Sequence, residues 1–362
     1  MIEALATGTF THEEIAALKR DFADAYRDAP VLITGADGFL GSHLTDALIE
    51  LGADVHITVR PKAHRQLHHL EHQRGRLTLH WCDLTDRLAV DQAVRALSNA
   101  DRPVYVFNFA AFSHVGYSWH LPQAVFNANV SATLNLLQSL VDHRIELACF
   151  DQVGTSEEYG NAHGLNHGDD LDEVVFTETS PLDPQSIYGT SKVTQDFLAR
   201  NFHAAYGLPV IVVRMFNHFG PRQSLEFITG EIIRQASQSE RIVLGDLRPR
   251  RDFTFFVDGI RAHLALAAHG KAGEVYTYGN GKSITMKDWA QLIIDLGERA
   301  GHWSARTLLS DTDRFRPGDS EVLALRVDAR KVRDAVGWEP TVTWEAGLRR
   351  TIDYVNDALI PH

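Results

Sequence analysis

The stretch Val31-Leu-Ile-Thr-Gly35-Ala-Asp-Gly38-Phe-Leu-Gly41-Ser-His-Leu44 determines how the rest of the chain is interpreted. A short apolar run leads into Gly-x-x-Gly-x-x-Gly, which opens a helical pattern. In that context the glycines allow a tight turn, a close approach of backbone amides to a pyrophosphate, and close packing of helix on strand. The helix N-terminus stabilises negative charge. The stretch therefore predicts a dinucleotide site, to which we assign Gly35, Asp37, Gly38, Phe39, Leu40 and Gly41.

Strand and helix patterns alternate from residue 31 to about residue 214, which is typical of a parallel sheet covered by helices. Six strands are predicted, at residues 31–34, 55–59, 77–81, 104–109, 147–153 and 210–214. Four helices are predicted between them, at residues 42–51, 86–97, 121–141 and 186–206. The expected fold class is α/β, with a Rossmann-type doubly wound parallel sheet.

Beyond Phe216 the alternation loosens, which predicts a smaller, discontinuous C-terminal α/β domain. We expect residues 29–214 and about 245–280 to bind the cofactor, and residues 215–244 and 281–362 to bind the substrate. Residues 1–28 are predicted to be a helical extension, because Thr11 and Glu14 have the spacing of a capping box. The active site is expected in the cleft between the two domains.

Composition excludes several other classes of protein. Lys plus Arg number 35 against 47 Asp plus Glu, and the net charge of −12 argues against a general nucleic-acid or anionic-membrane binder. No apolar run is long enough for a membrane span, and the first 28 residues lack the pattern of a signal peptide. Cys82 and Cys149 lie too far apart to indicate a disulfide framework or a structural zinc site. We therefore expect a cytoplasmic protein.

The end of the second predicted strand indicates which nicotinamide cofactor is bound. An acidic residue there would bond the ribose 2′-hydroxyl, whereas an arginine accommodates a 2′-phosphate. Arg60 occupies this place, with Lys62 and Arg65 close behind, so NADP is favoured over NAD. Asp83, which closes the third strand, is expected to meet the adenine amino group. Further cofactor contacts are assigned to Leu84, Ala110 and Ala111.

A second motif, Tyr188-Gly-Thr-Ser-Lys192, places a phenol and an ammonium on one face of a helix. A free phenol, with a pKa of about 10, is too weakly acidic to serve as a base at neutral pH. A neighbouring ammonium and the nicotinamide charge would stabilise the phenolate. Tyr188 and Lys192 are therefore expected to act in catalysis and to contact the cofactor.

With these motifs the chain resembles the extended short-chain dehydrogenase/reductases that act on nucleotide sugars, from residue 31 to about residue 354. The resemblance implies that Thr155 completes the catalytic triad. Thr155-Ser156-Glu157 is similar to the Thr-Ser-Glu of GDP-mannose 4,6-dehydratases, in which Glu157 would take the C5 proton and help to expel the C6 hydroxyl. UDP-glucuronate decarboxylases also carry Thr-Ser-Glu, so this motif leaves both reactions open.

Other stretches favour the GDP-mannose group. Ser113-His114-Val115 and Phe216-Asn217-His218 resemble its sequences, and the resemblance implies that Asn217 holds a phosphate, that Arg251 pairs with the diphosphate, and that Arg316 and Glu321 clamp diphosphate and ribose. The substrate contacts expected on this basis are Ser113, His114, Ser156, Asn217, Arg222, Arg251, Arg316 and Glu321. The stretches 221–224 and 316–321 look more like NDP-hexosamine 4,6-dehydratases, which leaves the base and the hexose open.

The resulting prediction is an NADP-dependent nucleotide-diphosphohexose 4,6-dehydratase that makes a 4-keto-6-deoxy sugar, with a GDP-mannose-like substrate favoured. The alternatives are a UDP-glucuronate decarboxylase or epimerase, or a GDP-4-keto-6-deoxyhexose reductase. No metal is expected, because His64, His68 and His72 have no carboxylate or cysteine partner at the right spacing. The resemblance also implies a homodimer through helices 121–141 and 186–206, or a tetramer.

Overall fold

A computed structural model describes residues 10–61, 66–162, 171, 174–318 and 320–359. The strands that make up its central sheet are β1 Pro30–Thr34, β2 Asp54–Val59, β3 Thr78–Trp81, β4 Val104–Asn108, β5 Leu147–Val153, β6 Val210–Met215 and β11 Val275–Tyr278. Shorter strands outside it are β7 Asn217–Phe219, β8 Arg241–Leu244, β9 Arg250–Arg251, β10 Phe253–Phe255, β12 Ile284–Thr285, β13 Thr307–Ser310 and β14 Ala324–Leu325.

The central sheet has the strand order β11-β6-β5-β4-β1-β2-β3, and its neighbouring strands pair in parallel. This is the doubly wound Rossmann topology, in which ligands bind at the reversal point between β1 and β4. The predicted fold class is confirmed, and the six predicted strands match the observed ones to within one residue at each end. β11 was not predicted, because it is a short run beyond the point where the regular alternation ends.

The α-helices are α1 His12–Tyr26, α2 Phe39–Glu50, α3 Arg87–Arg95, α4 Val115–Ser118, α5 Pro122–Phe126, α6 Ala132–Asp142, α7 Ile187–Tyr206, α8 Ile228–Gln238, α9 Phe256–His269, α10 Met286–Arg299, α11 Arg330–Val336 and α12 Trp344–Leu359. The helix predicted at residues 121–141 is divided, since a π-helical turn, Asn127–Ser131, separates α5 from α6. α2 begins three residues before its predicted start, directly after Gly38.

Two apolar layers cover the central sheet. On one face α2 and α9 contribute buried residues such as Leu44, Leu48 and Ile260. On the other face α6 and α7 contribute Leu136 and Phe202, among others. Strands that are buried on both faces carry near-continuous apolar runs. This explains why the central strands could be predicted from the sequence.

The N-terminal helix α1 packs against the rest of the fold through specific contacts. The predicted capping box is present, with the Thr11 N–H donating to Glu14 Oε2 at 2.7 Å. The hydroxyl of fully buried Tyr26 donates to the Leu264 carbonyl on α9 at 2.7 Å. Glu14 also pairs with Arg350 on α12 at 2.6 Å. The extension thus joins the sheet-covering helix α9 to the C-terminal helix.

The smaller sheets bear on the domain boundaries predicted from the sequence. Within residues 245–280, β11 joins the central sheet, whereas β9 and β10 belong to the small sheets formed with β7, β12 and β14. The division into domains stays a prediction. Among the described residues, no helix combines the length and the apolar character needed to cross a membrane.

Candidate functional site

The glycine turn lies at one end of a large cleft of about 1310 Å³ that opens above the sheet. Gly35 has φ +65°, and a Cβ there would lie 2.7 Å from the backbone nitrogen of Ala110. A Cβ on Gly41 would overlap the carbonyl group of Gly35, so α2 packs directly on the turn. No side chain caps α2 and its first turn carries no acidic residue. Its free amides can therefore receive an external anion.

The other residues assigned to the cofactor line the same end of the cleft; these are Asp37, Phe39, Leu40, Arg60, Asp83, Leu84, Ala110 and Ala111. Asp37 was assigned to the cofactor site, but its carboxylate accepts the backbone N–H groups of His68 (2.7 Å) and His69 (2.8 Å). Asp37 therefore anchors the segment that follows β2. Arg60 is exposed at the end of β2. Lys62 and Arg65 lie outside the described residues.

The predicted catalytic residues converge in the middle of the cleft. Tyr188 and Lys192 lie one turn apart on α7, which begins where the Ser186 side chain accepts the Gly189 N–H at 2.9 Å. The Lys192 ammonium donates to the Val153 carbonyl at 2.5 Å. The Thr155 hydroxyl is within hydrogen-bonding reach of Tyr188.

Burial controls the protonation of this group. Burial raises the pKa of Tyr188, and the nearby Glu157 charge adds to the rise, while the Thr155 hydroxyl opposes it. Burial also lowers the pKa of Lys192 to about 8, against the attraction of Glu158 and Asp196. In the free protein at neutral pH, the Tyr188 phenol is therefore protonated. The Lys192 amine is still mostly charged, but its pKa lies within about one unit of neutral pH.

A buried ionic cluster beneath the triad was missed by sequence reasoning. Glu158 Oε1 accepts the Thr155 N–H at 2.7 Å, and its other oxygen lies 3.3 Å from Arg214 Nε. Arg214 is also paired with Asp196 on α7 at 2.7 Å. Burial and the charge of Asp196 raise the pKa of Glu158. The capping-box spacing of Thr155 and Glu158 was the available signal for this arrangement.

A second missed feature is the π-helical turn between α5 and α6, which carries Asn129. Its side-chain oxygen accepts the Phe112 N–H at 2.6 Å and its amide donates to Ser191 on α7 at 2.8 Å. Asn127 and Ala128, from the same turn, line the cleft. Such turns often occur at functional sites, but a helical sequence pattern does not reveal them.

Glu157 belongs to a chain of alternating charges that lines the cleft. Arg316 donates to it with Nη1 at 3.3 Å and Nη2 at 3.2 Å. Arg316 Nε lies 3.5 Å from Glu321, which in turn receives Arg251 Nη2 at 3.2 Å. Burial alone would raise the pKa of Glu157, but Arg316 and Arg251 outweigh it and hold that pKa below its ordinary value.

Other predicted substrate residues also line the cleft, namely Ser113, His114, Ser156 and Asn217. The Asn217 side-chain oxygen is buried and has no hydrogen-bond partner within the described part of the chain. The His114 ring caps α4 by accepting the Tyr117 N–H at 3.2 Å. An unpaired buried acceptor on the cleft wall is available to a ligand donor.

Arg222 is the predicted substrate residue that the structure places elsewhere. Its side chain is buried outside the cleft, where it pairs with Asp46 on α2 at 2.8 Å. Its backbone is left-handed, with φ +67°. The structure thus places the Arg222 side chain away from the cleft residues, and a substrate contact at Arg222 stays a prediction.

The histidines considered for a metal site have other contacts. His72 lies 3.1 Å from Asp46, and the His68 backbone binds Asp37. His64 lies outside the described residues. The absence of a metal stays a prediction.

Comparisons with known proteins match this chain to nucleotide-sugar 4,6-dehydratases. The family described as GDP-mannose 4,6 dehydratase matches residues 32–351. A dTDP-glucose 4,6-dehydratase of Xanthomonas campestris pv. campestris is 34% identical over 275 residues, which cover 72% of this chain and 75% of the relative. GDP-mannose 4,6 dehydratase 1 of Arabidopsis thaliana is 28% identical over 338 residues, covering 89% and 88%. The structure of DesIV, a dTDP-glucose 4,6-dehydratase from Streptomyces venezuelae with NAD bound, matches with a TM-score of 0.77 at 27% identity, covering 91% of this chain and 97% of that one.

Proposed function

Because the chain belongs to the GDP-mannose 4,6-dehydratase family, an enzyme family of the extended short-chain dehydrogenase/reductase type, we propose that it dehydrates a nucleotide-diphosphohexose to the 4-keto-6-deoxy sugar. The observation that carries this proposal is the position of Glu157. Its buried carboxyl lines the same cleft as the triad of Thr155, Tyr188 and Lys192. Oxidation and elimination can therefore act on neighbouring carbons of one bound sugar.

The glycine turn fits a nicotinamide dinucleotide. The uncapped N-terminus of α2 offers amides to a pyrophosphate, and Gly35 allows the tight turn before it, because a Cβ there would collide with the Ala110 backbone. Arg60, exposed at the cleft end of β2, supports NADP as the preferred form, since a guanidinium matches a 2′-phosphate. Bound here, the nicotinamide would take a hydride from C4 of the sugar and, after water is lost, return it to C6 while a proton returns to C5, so the cofactor would not be consumed.

The triad residues handle the C4 hydroxyl. Tyr188 takes its proton, Thr155 holds the oxygen by a hydrogen bond, and the Lys192 ammonium stabilises the phenolate. Because burial raises the pKa of Tyr188 in the free protein, proton removal depends on the positive charge that the bound cofactor and Lys192 bring to the cleft. The residues Glu158 and Arg214 hold Thr155 in place from below.

Glu157 performs the elimination. Once C4 is a ketone, the C5 proton is acidic, and a carboxylate at this place can remove it and help to protonate the departing C6 hydroxyl. Arg251 and Arg316 line the cleft and offer N–H donors to the nucleotide diphosphate, whereas the unpaired Asn217 oxygen can accept a hydrogen bond from a hydroxyl of the substrate. Arginine suits this task because its planar fork matches phosphate oxygens.

A GDP-mannose-like substrate is favoured within this proposal, on the Ser113-His114-Val115 and Phe216-Asn217-His218 stretches. A homodimer through α5, α6 and α7 is part of the proposal as well, and exposed apolar side chains on α6 and α7, Leu134 and Phe197, support it. A cytoplasmic location stays a prediction.

Mass spectrometry of the enzyme incubated with NADP+ or NAD+ and single sugars tests the proposal. The panel is GDP-mannose, GDP-glucose, UDP-GlcNAc, UDP-glucose, dTDP-glucose and UDP-glucuronate. We expect one hexose to lose water without net accumulation of reduced cofactor. Loss of carbon dioxide from the glucuronate would instead establish a decarboxylase. No change in any of these sugars would favour a reductase, which a separate incubation with NADPH and a 4-keto sugar would test through stoichiometric consumption of NADPH.

Two variants separate the steps. Glu157→Gln keeps the side-chain shape, so we expect C4 oxidation, seen as reduced-nicotinamide absorbance in a single turnover, to survive while water loss collapses. Tyr188→Phe is the matched control, in which both signals should disappear. Unchanged dehydration in Glu157→Gln would refute the role given to this residue.

A further inference from the structure

The charged groups on the substrate side of the cleft compensate one another in the free protein. Every nitrogen of the Arg316 guanidinium faces a carboxylate, with Nη1 and Nη2 on Glu157 at 3.3 and 3.2 Å and Nε 3.5 Å from Glu321. Arg251 completes the chain through Glu321 at 3.2 Å. Two arginines and two glutamates therefore neutralise each other before any substrate binds.

This arrangement conflicts with the proposed work of its members. Arg316 is one of the groups offered to the substrate diphosphate, but its nitrogens are already directed at Glu157 and Glu321. Glu157 is the group offered to the sugar, but both of its oxygens receive Arg316. The pair of N–H groups that a guanidinium directs at one carboxylate cannot bind a phosphate at the same time.

We propose that Arg316 is a positioning residue that restrains the Glu157 carboxylate in the free protein and releases it when the diphosphate of a nucleotide sugar draws the guanidinium away. The inference rests on the proposed function. It means that the substrate's own nucleotide end makes the elimination carboxylate reactive, so that Glu157 becomes available only when the sugar lies beside it.

The groups that face Glu157 explain the effect of release. Among the described residues they are Arg316, Arg251 from β9 and Tyr188 from α7. Burial opposes the charge of Glu157, and Arg316 is the largest influence that sustains it. An opposite charge at close range lowers a carboxyl pKa by about 1–3 units, so its withdrawal would raise the Glu157 pKa by a comparable amount. A carboxyl that can carry a proton is what the transfer from C5 to the leaving hydroxyl needs.

Infrared difference spectroscopy of the protonated carboxyl band, recorded against pH, measures this release. The protein with its cofactor is titrated with GDP, UDP or dTDP, and Glu157→Gln identifies the band. We expect a saturating nucleoside diphosphate to raise the apparent pKa of Glu157 by at least about one unit, a tenfold change in its protonation equilibrium. A nucleoside monophosphate should cause a smaller shift.

Substitution of Arg316 provides the second readout. Arg316→Gln should show the raised Glu157 pKa without any ligand, and Arg316→Lys, which keeps the charge and loses the fork, should give an intermediate value. The matched control is Arg314→Gln, because Arg314 faces Glu231 at 3.6 Å and should leave the Glu157 pKa unchanged. An Arg316→Gln protein with the wild-type Glu157 pKa, or no shift with saturating diphosphate, would overturn the inference.

The outcome is separable from the fate of the proposed function. A diphosphate-induced shift in a protein that dehydrates no hexose would refute the dehydratase and keep the role of Arg316. Dehydration of a hexose without any shift would keep the dehydratase and refute the role of Arg316.

Discussion

Replacing Arg222 by methionine distinguishes a substrate contact from a structural ion pair. The Arg222 and Asp46 side chains are 2% and 7% exposed and pair at 2.8 Å between the 220–223 turn and α2. Methionine retains much of the side-chain length while removing the charge. The variant therefore leaves the Asp46 carboxylate buried without its cation, and it alters no group that lines the cleft.

The expected loss of stability follows from what remains around Asp46. Removing one partner of a buried pair costs about 3–5 kcal/mol. Asp46 still accepts the Gln73 side chain at 2.8 Å and lies 3.1 Å from His72. These two contacts still stabilise the buried Asp46 carboxylate in part. We therefore expect a loss of stability at the lower end of that range, about 3 kcal/mol.

Urea unfolding and steady-state kinetics together decide the question. We expect the free energy of unfolding of Arg222→Met to fall by about 3 kcal/mol while the KM of the folded enzyme changes little. Adding Asp46→Leu should restore much of the stability, because replacing both members of a buried pair with apolar groups is often neutral. A KM raised tenfold or more with unchanged stability would refute this reasoning and return Arg222 to the substrate site.

Three further predictions concern the glycine turn, the N-terminal helix and Lys192. Gly41→Ala should cost about 1–3 kcal/mol and weaken cofactor binding in a fluorescence titration, because its Cβ would overlap the preceding turn, whereas Gly75→Ala, with no atom within 4 Å of the new Cβ, should change neither. Tyr26→Phe should lower the free energy of unfolding by about 0.5–1.5 kcal/mol by removing one hydrogen bond to the buried Leu264 carbonyl, which keeps its partner within α9, and an unchanged value would argue against that bond. Because the pKa of Lys192 is lowered to about 8 by burial, the unfolded state binds more protons between pH 8 and about pH 10.4. Wild-type stability should therefore rise with pH in that window relative to Lys192→Met, and parallel pH curves would contradict this.

The parts of the site that the sequence predicted well are those set by local geometry. Gly35 and Gly41 have unique steric requirements in a strand–turn–helix unit, and Tyr188 and Lys192 are placed together by the helical repeat alone. The central strands were predictable for a similar reason, since burial on both faces requires continuous apolar runs.

The parts that could not be predicted depend on partners distant in the chain. Arg214 meets Glu158 and Asp196 only because β5, β6 and α7 are adjacent in space. Asp37 was correctly placed in the cleft, but its bonds go to backbone groups of a segment with no recognisable pattern. Arg222 is the opposite case. Its residue type suggested a substrate contact, but the sequence does not reveal that the side chain pairs with Asp46 outside the cleft.

The Thr155-Ser156-Glu157 motif leaves dehydration and decarboxylation open, and the charges around Glu157 distinguish the two reactions. Within the described part of the chain, the cations that face Glu157 are Arg316 and Arg251, and both are also matched by Glu321. A nucleotide diphosphate brings two negative charges to these arginines and glutamates. The two arginines then no longer balance all of the negative charge around them. A hexuronate would add a third negative charge beside a buried carboxylate, whereas the C6 hydroxyl of a neutral hexose adds none. Since unpaired charges are costly at buried sites, we expect this cleft to prefer the neutral sugar, and therefore the dehydration.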